Sequence, residues 1–401
     1  MSIESEPLTA AELMTDVERV SAHRARGMLF LCLAVGAMGF AMAVQQGVNA
    51  NFVRQVMRLE GDQVGALEAI RESCGIWALG LLALLAGLAE PLVGAAVLAV
   101  FAVGLGAYSY VPNYGWLILA SLVWSQGLHI WMPLPNSMAL ALAEPGRAGR
   151  RLGQVQTAGA AGAALGLVTA LVLDLIGLAI RPMYLLAGVV ALAAAAMCLG
   201  IPRQIKTPGP RLVFRRKYWL YYLLCFLEGW RKQIFIAFAG FLLVWKYNTS
   251  LRTLLVLGIC VQAAGWFTSP FVGRLIDRVG ERPILAFYYV CLTGFFVGYA
   301  TIQSRYVLYT IFVIDSAFFV FGMALNTYVN HMAPKSEHTP TLSMGVAMNH
   351  VASVTMPLVG GLLWRYAGYK WTFLIGACAA AVSIIPTLFL PMRLRGRPQE
   401  P

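Results

Sequence analysis

The chain is predicted to be an all-α integral membrane protein, with twelve transmembrane helices in two pseudo-symmetric six-helix bundles. Three observations carry this. Of 401 residues, 59% are hydrophobic and 12% charged, against about 25% charged in soluble domains, and mean hydropathy is +0.70. Apolar runs of roughly 20 residues, the length that crosses a hydrocarbon core, recur twelve times between short polar or Gly/Pro breaks. The longest polar interruption after the N-terminal region, IPRQIKTPGPRLVFRRKY, falls between the sixth and seventh runs.

Residues 1–26 are polar, carry Glu and Asp, and lead to no small-residue cleavage site, so they read as a retained N-terminal tail rather than a signal peptide. ELMTDVERV has the pattern of a short amphipathic surface helix; a disordered tail is the simpler expectation. The runs 27–50, 63–87, 92–111, 115–142, 153–176 and 181–200 form the first bundle, residues 27–200. Residues 201–217 are the linker. The runs 218–245, 251–272, 284–302, 306–332, 342–364 and 371–391 form the second bundle, residues 218–391, and 392–401 a basic tail. All are continuous and Leu/Ala-rich. Barrel strands would instead alternate over about ten residues, so the spans are helices.

The net charge of +12 reports topology. Of 30 Lys and Arg, nineteen fall on the side that holds both tails and the linker, among them Arg147, Arg150, Arg151, Arg211, Arg215, Arg216 and Lys217, and eight on the other. By the positive-inside rule both ends are cytoplasmic, and the expected location is a bacterial inner (plasma) membrane. Contact with anionic headgroups accounts for the basic excess without nucleic acid. The seven cysteines lie in apolar runs with no close pairing, as small packing residues do. Neither they nor the five histidines show a metal-ligand spacing, so no metal site is expected. No P-loop, His-Glu-x-x-His or nucleophile elbow is present. An enzyme, a cofactor and an ATP-driven pump are therefore not expected.

Weak internal similarity supports the division into halves. MPLPNSMALALAEPGRAGRRLGQVQ ends the fourth run and MALNTYVNHMAPKSEHTPTLSMGVAM the tenth. Asn136 and Asn326 fall in step, Pro145 and Pro334 approximately so, and Gly153 and Gly345 open the next helix, at offsets of about 190. Duplicated six-helix halves produce such offsets. Between the eighth and ninth spans stands GRLIDRVGERPIL, in which Gly273, Asp277, Arg278, Gly280 and Arg282 occupy the positions of a Gly-x-x-x-Asp-Arg-x-Gly-x-Arg loop signature. In span count, midpoint linker and loop motif the whole chain resembles the major facilitator superfamily. The matching first-half loop, GLAEPLVGAAVL, keeps Gly87, Glu90 and Gly94 but has no Arg, a departure from the family pattern.

The resemblance implies that spans one, four, seven and ten line a central cavity and that spans two, five, eight and eleven meet between the halves. On that scheme the charges inside LLCFLEGWRKQIFIAFAGFLLVW face a water-accessible cavity. Glu228 lies three residues before Arg231 and four before Lys232, with Gln233 beside them, so both cations can reach one carboxylate. A surplus positive charge is left for an anionic substrate, expected to be bidentate to Arg231 with Lys232 the weaker candidate, or for Glu72. On the second span Glu68, Arg71 and Glu72 share a helix face, expected to lie near the outer surface and partly hydrated, with a coupling or gating role. Further cavity candidates are Gln45, Gln46 and Asn49; Gln126, His129 and Asn136; Asp315 and Asn326; and Asn349 and His350. In the loop signature Gly273 and Gly280 allow close approach and a tight turn, and Asp277, Arg278 and Arg282 can latch the cytoplasmic side. Pro133, Pro135 and Pro357 interrupt helices, and QTAGAAGAALG offers a small-residue packing face.

The expected function is secondary active transport of a small organic anion by alternating access with proton coupling, by a monomer in contact with membrane lipids. Broad-specificity efflux of amphipathic compounds and a non-transporting receptor or scaffold on the same fold are the alternatives. In a background without native cysteines, a cysteine at Arg203 is expected to resist a membrane-impermeant maleimide in intact cells and to react after permeabilisation. Labelling from outside would reverse the orientation.

Overall fold

The computed structural model describes residues 10–144, 146–207 and 213–391. Pro145, Arg211, residues 1–9 and the tail 392–401 lie outside the described residues. The first half comprises α1 (Ala10–Asn51), α2 (Gly61–Leu84), α3 (Glu90–Ala107), α4 (Tyr114–Trp131), α5 (Leu134–Ala141), α6 (Ala148–Leu175) and α7 (Ile180–Cys198). The second comprises α8 (Trp219–Ile234), α9 (Gly240–Tyr247), α10 (Leu251–Val279), α11 (Glu281–Thr301), α12 (Arg305–Phe318), α13 (Met323–Met332), α14 (Lys335–Tyr366) and α15 (Tyr369–Leu388). Ten helices among the described residues are long and apolar enough to cross a membrane. The expected count of twelve differs by α2 and the α8–α9 rod, the two elements that carry the charge clusters. Residues 10–26, placed by the sequence in a tail, continue α1 as helix.

Three spans are broken along their length. Pro133 and Pro135 separate α4 from α5, because proline supplies no N–H to the ladder. A five-residue π-turn, Phe235–Ala239, separates α8 from α9, and a 3-10 turn, Phe319–Gly322, separates α12 from α13. Such local departures from α-helical bonding often mark functional hinges. Only the first break carries a proline signal. Pro357, by contrast, sits inside an unbroken α14.

Small residues set the closest contacts. On α6 the face expected for packing meets α1: a Cβ on Gly162 would stand 1.8 Å from the Gly36 carbonyl oxygen, and one on Gly166 2.5 Å from that of Phe40. Across the halves, α2 and α14 run antiparallel and touch from Gly61, against Trp364, through Gly65, whose Cβ would lie 2.3 Å from the Pro357 oxygen, to Gly75, against His350. At 1.5 Å per residue this contact is about 20 Å long.

The contact begins at the end of the bundle away from the linker, here termed the distal end. Every described side-chain hydrogen bond between the halves lies there: Asn51 to the Thr249 oxygen (2.9 Å), Trp245 to Glu60 (2.9 Å), Arg252 to Asp174 (3.2 Å) and Arg365 to Asp62 (2.9 Å). Arg252 and Arg365 are mostly exposed, and such pairs contribute about 0–1 kcal/mol each. Backbone-to-backbone packing of α2 on α14 therefore dominates the closure. On the linker side, Gly80, Gly149, Gly153, Gly265 and Gly273 have no atom within 4 Å of an added Cβ.

Gly162→Ala is expected to destabilise the first half by at least about 1–3 kcal/mol, the usual cost of overpacking. Gly153→Ala is expected to be neutral or slightly stabilising, because alanine favours helix where space is open. Thermal unfolding of the two purified variants measures the difference; equal midpoints would refute the close α1–α6 contact.

Candidate functional site

The first polar cluster lies inside the second half. A single helical turn of α8 brings Glu228 and Arg231 together. Arg231 is 0% exposed. Its guanidinium bonds the Glu228 carboxylate and the Tyr288 hydroxyl of α11 and stands 4.0 Å from Asp315 Oδ1 on α12. Tyr288 donates to Glu228 Oε1 at 2.9 Å. The guanidinium carbon lies 5.2 Å and 4.9 Å from the ring centroids of Tyr288 and Phe319, close enough for cation–π attraction. The expectation that Arg231 faces an aqueous cavity is thus corrected. Asp315, 84 residues further along the chain, supplies the second carboxylate and removes the surplus positive charge. Gln233 is buried as well.

Lys232, one residue on and about 100° around the helix, is partly exposed instead. It lies within electrostatic reach of Glu72 and His350 across the seam.

The second cluster straddles that seam. On α2, Arg71 pairs with Glu68 and lies 3.3 Å from Glu72 Oε1, and its guanidinium stands 5.3 Å from the Trp124 ring centroid. Glu68 is buried and Arg71 and Glu72 nearly so, which corrects the expectation of a hydrated outer cluster. Glu72 Oε2 turns the other way, 3.9 Å from His129 Nε2 on α4 and 3.8 Å from His350 Nδ1 on α14. The two imidazoles meet edge to face, 5.1 Å between centroids. His129 Nδ1 lies 2.8 Å from the Ser125 carbonyl oxygen. A carbonyl only accepts, so Nδ1 carries a proton, and in the neutral ring Nε2 holds its lone pair toward Glu72. Ser125 in turn donates to the Arg71 carbonyl at 2.8 Å and fixes α4 against α2.

The remaining candidates disperse. Gln45 is buried on α1 while Gln46 is exposed. Asn49 accepts from Tyr184 within the first half at 3.4 Å, and Asn349 donates to the Cys225 oxygen at 3.3 Å, tying α14 to α8. Gln126 has a buried amide nitrogen with no hydrogen-bond partner among the described residues. Asn136 and Asn326 occupy matching exposed positions on α5 and α13.

In the loop signature, Gly280 has φ 91°, the left-handed region that glycine tolerates, and caps α11. Asp277 and Arg278 are exposed and Arg282 partly so, with no hydrogen bond described for any of them; Gly273 faces open space. What the motif does bury is Glu281, 2.7 Å from His331 Nδ1. The first half repeats the device: Glu90, fully buried at the start of α3, accepts from Ser137 of α5 at 3.0 Å. The reading from sequence missed both pairs, although Glu90 and Glu281 share the offset of about 190 that relates the halves. At the same end Glu337 holds the linker through Lys217 (2.6 Å), Tyr218 and Arg215 (3.1 Å). The hydrogen bond from Lys217 keeps its carboxyl below the usual range.

Residues 221–401 match the family model of the Major Facilitator Superfamily. No curated protein matches the chain in sequence. Among solved structures, a mutant of the nucleoside transporter NupG is similar with a TM-score of 0.75 at 14% identity, over 90% of this chain and 98% of that one. A bacterial homologue of the human lysosomal transporter Spinster, inward-facing and occupied, gives 0.73 at 12% identity over 91% and 96%. A D-xylose-proton symporter gives 0.69 at 15% over 92% and 98%. At these identities the likeness establishes the fold. The second half of the chain thus matches the Major Facilitator Superfamily in sequence, and the whole chain shares the fold of these solved transporter structures.

Proposed function

We propose that the chain is a secondary active transporter that works by alternating access, with a small organic anion crossing at the level of Lys232 and with protons as the coupling ion. The observation that carries this reading is the asymmetry of the seam: α2 and α14 seal it over its distal part, and the linker-side glycines of the interface helices face open space. With the linker cytoplasmic, as the basic residues imply, the described state opens inward. Exposed Asp277 and Arg278 fit a cytoplasmic latch that is released in this state.

Charge counting supports proton coupling. Arg231 faces two carboxylates, Glu228 and Asp315, so one proton would neutralise the surplus negative charge held in the interior. The turns Phe235–Ala239 and Phe319–Gly322 flank this cluster and give α8 and α12 places to bend. Proton symport is also the property named for the xylose transporter among the similar structures.

Lys232 supports the anion. It is the cation of the seventh span that is not locked in the second-half core, and it has no hydrogen bond among the described residues. A distal pocket that draws on both halves, lined by Arg54, Gln55, Arg58, Glu60, Trp245 and Asn248, adds a net positive entrance.

In proteoliposomes with an imposed proton gradient, Lys232→Gln is expected to lose anion uptake while keeping the wild-type unfolding midpoint. Arg231→Gln is expected to lower that midpoint severely, since removing one partner of a buried ion network costs about 3–5 kcal/mol. Normal uptake by Lys232→Gln would end the anion reading, and no gradient-driven uptake of any anion, sugar or nucleoside by the wild type would end the transporter reading. Asp277→Ala is expected to change the transport rate with substrate binding intact. An unchanged rate would remove the latch from this loop.

A further inference from the structure

The geometry points to a binding site for a borderline divalent transition metal ion of the zinc class, formed by Glu72, His129 and His350 and bridging the two halves. No sequence spacing announces it, because the three residues come from α2, α4 and α14. One donor atom from each lies within 4.8 Å of the others. Zinc binds imidazole nitrogen and carboxylate oxygen at about 2.0–2.2 Å, which sets ligand pairs about 3.4 Å apart in a tetrahedral shell. The distances of 3.9 Å and 3.8 Å from Glu72 Oε2 need to close by only about half an ångström. Two imidazoles and a carboxylate favour such an ion over magnesium or calcium, which take oxygen shells, and three protein ligands leave a fourth position for water or a small anion.

Three features make this a prepared site. The Ser125 carbonyl holds the His129 Nδ1 proton, so Nε2 is the free donor, the backbone support that metal-ligating histidines ordinarily have. His350 Nδ1 is buried, has no hydrogen-bond partner among the described residues and points to Glu72. Gly75, one turn after Glu72, admits the ring: a Cβ there would stand 2.4 Å from His350 Nδ1. The neighbouring cations leave the carboxylate usable. Glu68 takes the Arg71 charge, and Arg71 reaches only Oε1 of Glu72.

Glu72 and His129 belong to the first half and His350 to the second, so a bound ion pins the seam at the linker-side edge of the sealed α2–α14 contact. Its affinity then depends on how the halves are disposed. The inference goes beyond the transport reading, and its test reads binding alone.

Purified protein in detergent is titrated with Co2+, whose visible absorption reports nitrogen and oxygen coordination, and then with Zn2+ as competitor. One equivalent is expected to bind and to raise the unfolding midpoint, since a ligand of the folded state stabilises it by mass action. Glu72→Gln, His129→Gln and His350→Gln are each expected to weaken Co2+ binding by at least about 10–100-fold, the loss usual for a mere supporting residue. His331→Gln serves as a control that retains the site. Ser125→Ala leaves all three ligands in place and keeps the question open to measurement should a ligand variant fail to fold; it is expected to retain one equivalent at lower affinity. No stoichiometric binding by the wild type, or binding that survives in all three ligand variants, overturns the site. Binding lost in Glu72→Gln and His129→Gln but kept in His350→Gln overturns the bridge.

Discussion

A charge inside a hydrocarbon slab must be matched or made reachable by water, and that constraint organises this molecule. A single unmatched cation at the centre of a span costs about 2.5–3.5 kcal/mol even on the mildest scales. Arg231 meets the constraint with two carboxylates, a tyrosine hydroxyl and two aromatic faces, all from the second half. Arg71 meets it with Glu68 and Glu72 on its own helix and Trp124 beside it. With these two cations matched, Lys232, Glu72 Oε2, His129 Nε2 and His350 Nδ1 are left without a hydrogen bond among the described residues. They are the ones that stand on the seam between the halves.

The seam is set by small residues rather than by ion pairs. Gly61, Gly65 and Gly361 let the α2 and α14 backbones touch, and Trp364 packs at their distal end among Phe238, Phe241, Trp245 and Phe373. Such contact brings dispersion and backbone complementarity where lipid gives no hydrophobic drive to helix association. The same geometry carries Gly75 to His350 and so decides that a histidine of the eleventh span reaches a carboxylate of the second. Packing and chemistry are one arrangement here: the last tight glycine contact is also the one that brings His350 to Glu72.

The two halves express one plan with different residues. Each has a glycine at positive φ before its third helix, Gly87 and Gly280, and each buries a glutamate at that helix's first residue against a donor from the broken fourth span. In the second half the donor is a histidine and the loop keeps its arginines; in the first half the donor is a serine, and the arginine-free loop bonds through its backbone to linker residues 205–207. The linker thus braces the loop that lost its basic residues.

Composition, run length and the repeated offset of about 190 were enough to determine a helical membrane protein of two similar halves, because solvation by lipid constrains every residue of a span. The loop signature and the small-residue face of α6 were legible for the same reason: each is a local pattern with a local cause. The pairing of charges was not. Whether Arg231 meets water or Asp315 depends on how α12 is rotated against α8, and the approach of Glu72, His129 and His350 depends on glycines spread over two helices. The 3-10 break at Phe319–Gly322 has no proline to announce it. Side chains far apart in sequence, such as Glu90 and Ser137, 47 residues apart, or Asp62 and Arg365, 303 apart, meet through helix packing, whose register comes from the summed shape of whole faces, and only the tertiary structure decides that sum.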